Sequence, residues 1–267
     1  MTLNPKKLLF ILLGVSLTFG IIFLITQQFY NSNISGDLIW LLQVFNIDNE
    51  VSLPTWYSTI LLFISALGLA YIAMTNKDQK STKYWWGLSG IMTLASIDEG
   101  ASLHERIDSL ANLIGLRAID ANNTGLLFFD WWIFLLPILA IVAIFFIKFW
   151  LSLPKKTKLL FAASIAIFLI GSVFFEAIGG LIISSNELLE ANPLVNAAEE
   201  CFEMFGASLF IYAILDFIQS KNNLTWLALQ NLIRNPNNSI IAQLSFNVEL
   251  AKLILERHKL TPVFMGA

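Results

Sequence analysis

Residues 85–106 read WWGLSGIMTLASIDEGASLHER. The stretch begins with an apolar run, Trp85 to Ala95, and acidic side chains follow before a membrane span of ordinary length is complete. Ionisable side chains inside a membrane span are costly, and they often mark a functional site. The stretch therefore predicts a membrane helix that carries Asp98 and Glu99 near one end.

The composition of the whole chain agrees with this interpretation. Its 267 residues are 57% hydrophobic and 13% charged, with a mean hydropathy of +0.71. Several apolar runs of about 20 residues each match a hydrocarbon core about 30 Å thick. We therefore expect an all-α integral membrane protein whose main partner is the lipid bilayer. No basic block with interleaved aromatic residues suggests nucleic-acid binding, and the single cysteine, Cys201, excludes an internal disulfide.

Six apolar segments predict six transmembrane helices in a domain that covers residues 1–219. The predicted spans cover residues 8–28, 56–75, 84–106, 130–150, 159–183 and 196–218. The first resembles a signal peptide, but its apolar run is longer than usual and lacks a small-x-small cleavage site. We interpret it as a retained span. Residues 220–267 predict a cytoplasmic tail of short amphipathic helices.

Basic residues predict the orientation, because cytoplasmic loops carry an excess of lysine and arginine. The chain has 16 such residues, and in the loops assigned to the other side only Arg106 and Arg117 occur. Both termini are therefore predicted to be cytoplasmic. The expected location is a bacterial inner membrane or an internal membrane.

Three of the predicted spans carry acids at a similar depth. Helix rise places Asp98 about 21 Å and Glu105 about 31 Å along the third span, and Glu176 about 27 Å along the fifth. The sixth span runs back from the same surface. Asp98, Ser102 and Glu105 are spaced to share one helix face, and Gly179 beside the fifth-span acid allows close helix contact. We therefore predict one outward-facing polar site, whose candidate residues are Asp98, Glu99, His104, Glu105, Glu176, Glu199, Glu200 and Glu203.

Two functional classes and a structural alternative remain open for this site. In the first, the acids and His104 bind one or two divalent metal ions such as iron, manganese, zinc or calcium. The reaction would be metal-assisted hydrolysis or oxidation of a lipophilic substrate, although the Glu-x-x-His pairs of di-metal bundles are missing. In the second class, Asp98, Glu176 and Glu203 relay protons or cations in a transporter or channel. In the alternative, the acids form a hydrogen-bonded network in an assembly subunit.

A set of motifs resembles a family of bacterial polytopic membrane proteins with six spans and no known activity. The motifs are Asp98-Glu99 with His104-Glu105 (D-E-x4-H-E), Glu199-Glu200 with Glu203-Met204 and Gly206 (E-E-x2-E-M-x-G), Glu176 with Gly179-Gly180, and Leu53-Pro54-Thr55-Trp56. The resemblance covers about residues 40–218. It implies a membrane bundle and adds no mechanism.

Overall fold

The computed structural model describes residues 4–30, 36–76, 78–103, 131–186, 192–234 and 249, and these residues form helices without any strand. The helices are α1 (Pro5–Tyr30), α2 (Gly36–Gln43), α3 (Leu53–Thr75), α4 (Gln79–Ala101), α5 (Trp131–Ser152), α6 (Lys155–Leu169), a π-helix (Ile170–Phe175), α7 (Glu176–Asn186) and α8 (Pro193–Arg234). The all-helical prediction is thereby confirmed for these residues.

Within this part of the chain, four helical segments are long and apolar enough to cross a membrane. They are Pro5–Phe29, Leu53–Thr75, Lys155–Ser184 and Pro193–Lys221, and a shorter apolar helix covers Leu136–Ser152. The protein is therefore membrane-embedded, whereas the count of six spans and the orientation of the termini stay predictions. The chain divides into two compact units, residues 1–218 and 219–267, and every feature discussed below belongs to the first.

Helices α3 and α4 form an antiparallel pair whose ends are fixed by capping residues. Ser52 accepts a hydrogen bond from the backbone N–H of Thr55 at 3.2 Å, and this bond satisfies an orphan donor of the first turn of α3. Asp78 caps α4 in the same way by accepting from the N–H of Lys80 at 3.0 Å. The Ser81 side chain and the Lys80 N–H hold the pKa of the Asp78 carboxyl below its usual range.

Buried hydroxyl groups connect the two helices along their length. Ser89 Oγ donates to the backbone oxygen of Ala66, and Ser96 Oγ donates to that of Thr59, both at 2.9 Å. Small polar residues let helices approach closely in an apolar bundle, and their hydroxyls find backbone acceptors there. These contacts fix the register that brings the end of α4 beside the start of α3.

The end of α4 differs from the sequence prediction. The third span was predicted to continue to residue 106, with Asp98, Ser102 and Glu105 on one face. Instead α4 ends at Ala101, because Ser102 adopts the left-handed conformation with φ 50° and its N–H donates to the backbone oxygen of Asp98. Ser102 therefore leaves the helical face, and Glu105 lies outside the described residues.

Helix α8 lies at the centre of the bundle and belongs to both buried clusters. One cluster surrounds Trp85 and Phe217, and the other contains Leu61, Leu62 and Met204. A Cβ atom added at Gly206 of α8 would lie 2.7 Å from the backbone nitrogen of Phe168 on α6. Glycine therefore lets α6 and α8 cross with their backbones almost in contact.

An ion pair joins α6 and α8 at the end of the bundle where α6 begins. Lys156 Nζ donates to Asp216 Oδ1, and the two side chains are 62% and 20% exposed. Exposed pairs of this kind contribute about 0.2–1 kcal/mol. We expect Asp216→Asn to lower the thermal unfolding temperature of the purified protein by roughly 4 °C at most. Asp37→Asn, on the exposed surface of α2, is the matched control. A fall of 8 °C or more relative to that control would contradict the estimate.

Candidate functional site

The candidate site lies where the π-helix meets the first turns of α8. A Cβ atom added at Gly171 would lie 2.6 Å from the backbone oxygen of Glu199, and 2.7 Å from Cγ and 2.9 Å from the nitrogen of Glu203. No other residue type fits this crossing without moving a backbone. Gly171 therefore lets the π-helix that leads into Glu176 pack directly against the part of α8 that carries the acids.

Five carboxyl side chains gather around this crossing, and we call them the carboxyl cluster. The cluster consists of Glu99, Glu176, Glu199, Glu200 and Glu203. Glu203 interacts electrostatically with the other four, and Glu200 interacts with Glu99 and Glu199. The end of α4, the start of α7 and the first turns of α8 thus each contribute to one group of like charges.

Two further acids lie on the exposed side of this cluster. Asp48 and Glu50, in the loop between α2 and α3, are exposed and also interact electrostatically with Glu200. The loop is held by hydrogen bonds from Leu53 N to the oxygen of Val44 and from Thr55 Oγ1 to that of Asn49, both at 2.9 Å. Neither residue is among the candidate site residues predicted from the sequence.

The remaining predicted site residues are placed differently. Asp98 is partly exposed at the end of α4, and its backbone oxygen accepts the N–H groups of Ser102 and Leu103. His104 and Glu105 lie outside the described residues. On α4 it is Glu99 that interacts with both Glu200 and Glu203.

A buried hydroxyl group that sequence reasoning missed lies at the level of the carboxyl cluster. Ser58 on α3 is 1% exposed, and its Oγ has no hydrogen-bond partner among the residues that the structure describes. Ser58 lies one helical turn before Leu61 and Leu62, and Glu200 lies one turn before Met204. Leu61, Leu62 and Met204 belong to the same core cluster. Farther along, Gly68 of α3 meets Ile214 of α8, so the two helices run in the same direction. Ser58 and Met204 each lie ten residues before this contact, so Ser58 faces α8 at the level of Met204, one helical turn from Glu200.

The π-helix is a second feature that the sequence did not predict. It covers Ile170–Phe175 between two α-helical segments and ends immediately before Glu176. Single π-helical turns are rare, and they occur frequently at functional sites. Here the wider π-helical turn contains Gly171, and it determines the orientation of Glu176, the first residue of α7. The Phe175 ring, 5.2 Å from that of Phe202 on α8, covers the same crossing.

The predicted metal-ligand geometry is not found in the part of the chain that the structure describes. Among those residues, no group of three or more His, Cys, Asp or Glu side chains is arranged to hold a metal ion. The carboxyls of Glu99, Glu176, Glu199 and Glu200 are each within electrostatic range of Glu203, but the described side chains do not converge on one point. A metal site made from the predicted residues thus stays a prediction, and His104 and Glu105 belong to that prediction.

Comparison with known proteins gives the chain a family. A family described as a domain of unknown function, DUF8692, matches residues 8–217. The chain belongs to this family. The DUF8692 match covers the carboxyl cluster, the π-helix and the helices that position them. Neither the curated proteins nor the solved structures contain a match.

Proposed function

We propose that this DUF8692 protein binds a cation at the carboxyl cluster, near one face of the membrane. The observation that carries the proposal is the electrostatic environment of Glu200 and Glu203. Four carboxyl groups raise the cost of a charge on each: Glu99, Glu199, Asp48 and Glu50 act on Glu200, and Glu200, Glu99, Glu199 and Glu176 act on Glu203. Within residues 1–218, the described lysines lie at the end of the bundle opposite to the carboxyl cluster. They are at the starts of α1, α4 and α6 and at the end of α5. A group of like charges in an apolar bundle is costly, and a bound cation offsets that cost.

The chemistry of the side chains favours a hard or borderline divalent cation. Carboxylate oxygens are preferred ligands of calcium and manganese, and they also bind zinc and iron. The unpartnered Oγ of Ser58 adds a neutral oxygen at the same level. With such a metal, the site would perform metal-assisted hydrolysis of a lipophilic substrate, or, with iron or manganese and an external oxidant, its oxidation. His104 and Glu105, which follow α4 in the sequence, would complete the ligand set.

Metal analysis of the purified protein tests the proposal. The wild type, grown with added manganese, iron, zinc or calcium, is expected to retain close to one metal ion per chain after desalting. It should also unfold at a higher temperature with that metal than with a chelator. The Glu200→Gln, Glu203→Gln double variant is expected to lose both effects, whereas Asp37→Asn on α2 should keep them.

Ser58→Ala separates a ligand role from a packing role. Because the Ser58 hydroxyl is buried without a partner, its removal is expected to leave stability unchanged or slightly raised. If it contributes to the site, metal affinity should fall about tenfold, equivalent to one lost hydrogen bond or ligand contact. A metal ion as the bound cation is overturned if the wild type retains no metal, or if wild type and double variant retain equal amounts.

Proton or cation passage is a second candidate function, and buried hydroxyls deeper in the bundle favour it. Tyr57 Oη donates to the backbone oxygen of Leu12 at 2.9 Å and lies beside the hydroxyls of Ser16 and Ser208. Ser16 and Ser208 are both 0% exposed. In proteoliposomes with a pH-sensitive dye, this function requires proton or cation flux that Glu203→Gln abolishes.

A further inference from the structure

An apolar groove runs between α1, α6 and α8. Its volume is about 500 Å³, within the range of small-molecule sites, which is about 300–1,000 Å³. The lining comes from α1 between Leu9 and Leu17, from Ile167 on α6, and from Phe202, Phe205 and Leu209 on α8. Every lining residue is apolar or glycine, so the groove suits a hydrocarbon chain.

One end of the groove adjoins the carboxyl cluster on both α6 and α8. On α8, Glu199 lies three residues before Phe202. It is therefore about one turn closer to the start of α8, on an adjacent part of the same helix face. On the other side, Gly171 follows Ile167 by four residues and contacts the Glu199 oxygen and Glu203 Cγ. The apolar surface thus continues into acidic side chains within one helical turn.

Glycines on α1 define where the groove is open and where it stops. A Cβ atom added at Gly14, which lines the groove, would meet nothing within 4 Å. One added at Gly20 would lie 2.6 Å from Cys201 Sγ, so α1 and α8 are in direct contact at that level. The groove is therefore open at Gly14 and closed between α1 and α8 at Gly20.

We propose that this groove binds the alkyl chain of a cationic amphiphile, a long-chain amine or quaternary ammonium, whose charged head lies at Glu199 and Glu203. The inference deepens the proposed function, on which it rests, by naming an organic class of cation for the same cluster. Lipid tails are as apolar as the groove, so chain burial alone gives no selectivity over bilayer lipid. Selectivity comes from the acids at its end. The Phe202 ring adds a surface that attracts an ammonium group.

Binding of a radiolabelled hexadecyltrimethylammonium probe to the full chain in phosphatidylcholine nanodiscs tests the proposal. Uncharged hexadecanol is the comparison probe. The wild type is expected to retain the ammonium at least tenfold more strongly than the alcohol. Glu199→Gln should reduce that preference, because it removes the charge and keeps the shape of the side chain.

Gly14→Phe tests whether the chain lies in the groove. The added ring enters open space, so folding should be unchanged while ammonium retention falls at least fivefold. Gly90→Phe, at an exposed glycine of α4 whose Cβ would also meet nothing within 4 Å, is the matched control and should bind as the wild type does. The proposal is overturned if the two probes bind equally, or if Gly14→Phe and Gly90→Phe retain equal amounts of ammonium.

The experiment also separates this inference from the proposed function. Retention of inorganic metal by the wild type and by Gly14→Phe, without selective ammonium binding, overturns the organic ligand alone. Absence of both metal and ammonium binding overturns both. Selective ammonium binding without retained metal supports the amphiphile as the cation of the cluster.

Discussion

Gly171→Ala is expected to lower the thermal unfolding temperature of the detergent-purified protein by roughly 2–12 °C. The new Cβ atom would lie 2.6 Å from the backbone oxygen of Glu199 and 2.9 Å from the backbone nitrogen of Glu203. Backbone atoms of a helix cannot rotate away as a side chain can, so the π-helix and α8 must separate. Overpacking of this kind costs about 1–3 kcal/mol, and 1 kcal/mol corresponds to roughly 2–4 °C in a domain of this size.

Gly90→Ala is the matched control for this substitution. Gly90 also lies in a helix, but its added Cβ atom would meet nothing within 4 Å. Because alanine is the better helix former, the control should unfold at the same temperature or slightly higher. Gly171→Ala should in addition weaken metal retention, because the crossing positions Glu176 relative to Glu203. Equal unfolding temperatures for the two variants would contradict the close crossing.

The sequence predicts the grouping of acids because their depth depends only on helix rise and on where each apolar run begins. Counting along the spans places Glu176 and Glu203 in the same layer, and small residues such as Gly206 indicate faces turned into the bundle. In the structure, Glu176 and Glu99 each lie within electrostatic range of Glu203. Whether they bind a cation is a separate prediction that the grouping does not test.

Other features of the site depend on tertiary packing and leave no local signal. Residues 170–175 are apolar apart from Gly171 and Ser172, and such a segment is equally compatible with an α-helix or a π-helix. The π-helix coincides with the contact of Gly171 against α8, which is distant in sequence. Similarly, the left-handed Ser102 that ends α4 occupies a conformation usually taken by glycine or asparagine.

The loop acids and the buried hydroxyl illustrate the same limit. Asp48 and Glu50 belong to a polar stretch that is typical of a solvated loop. Only the capped start of α3 brings this loop over Glu200. Ser58 is one of two serines in α3, and nothing adjacent in the sequence distinguishes it from Ser65, whose hydroxyl donates to the oxygen of Leu61 at 2.9 Å. The missing partner of Ser58 becomes visible only when all neighbouring helices are in place.

The Glu200→Gln, Glu203→Gln double variant is expected to unfold at a higher temperature than the wild type when both are measured in chelator. Each glutamine keeps the shape of the side chain and cannot ionise, so it removes the desolvation and like-charge repulsion that a carboxylate at Glu200 or Glu203 meets beside Glu99 and Glu199. Interactions between charges are strong where the surroundings are apolar. Relief of this repulsion is expected to contribute about 1–2 kcal/mol, or roughly 2–8 °C.

This result distinguishes a binding site from a structural network. Acids that hold the bundle together would leave partners unpaired when replaced, and the double variant would lose about 3–5 kcal/mol instead. A binding site is kept at the expense of stability, as functional sites commonly are. Added metal should then raise the unfolding temperature of the wild type and leave that of the variant unchanged. The wild type becomes the more stable protein once the stabilisation by bound metal exceeds the stability that the variant gains from reduced repulsion. A variant less stable than Asp37→Asn in chelator would support the structural alternative and contradict the cation site.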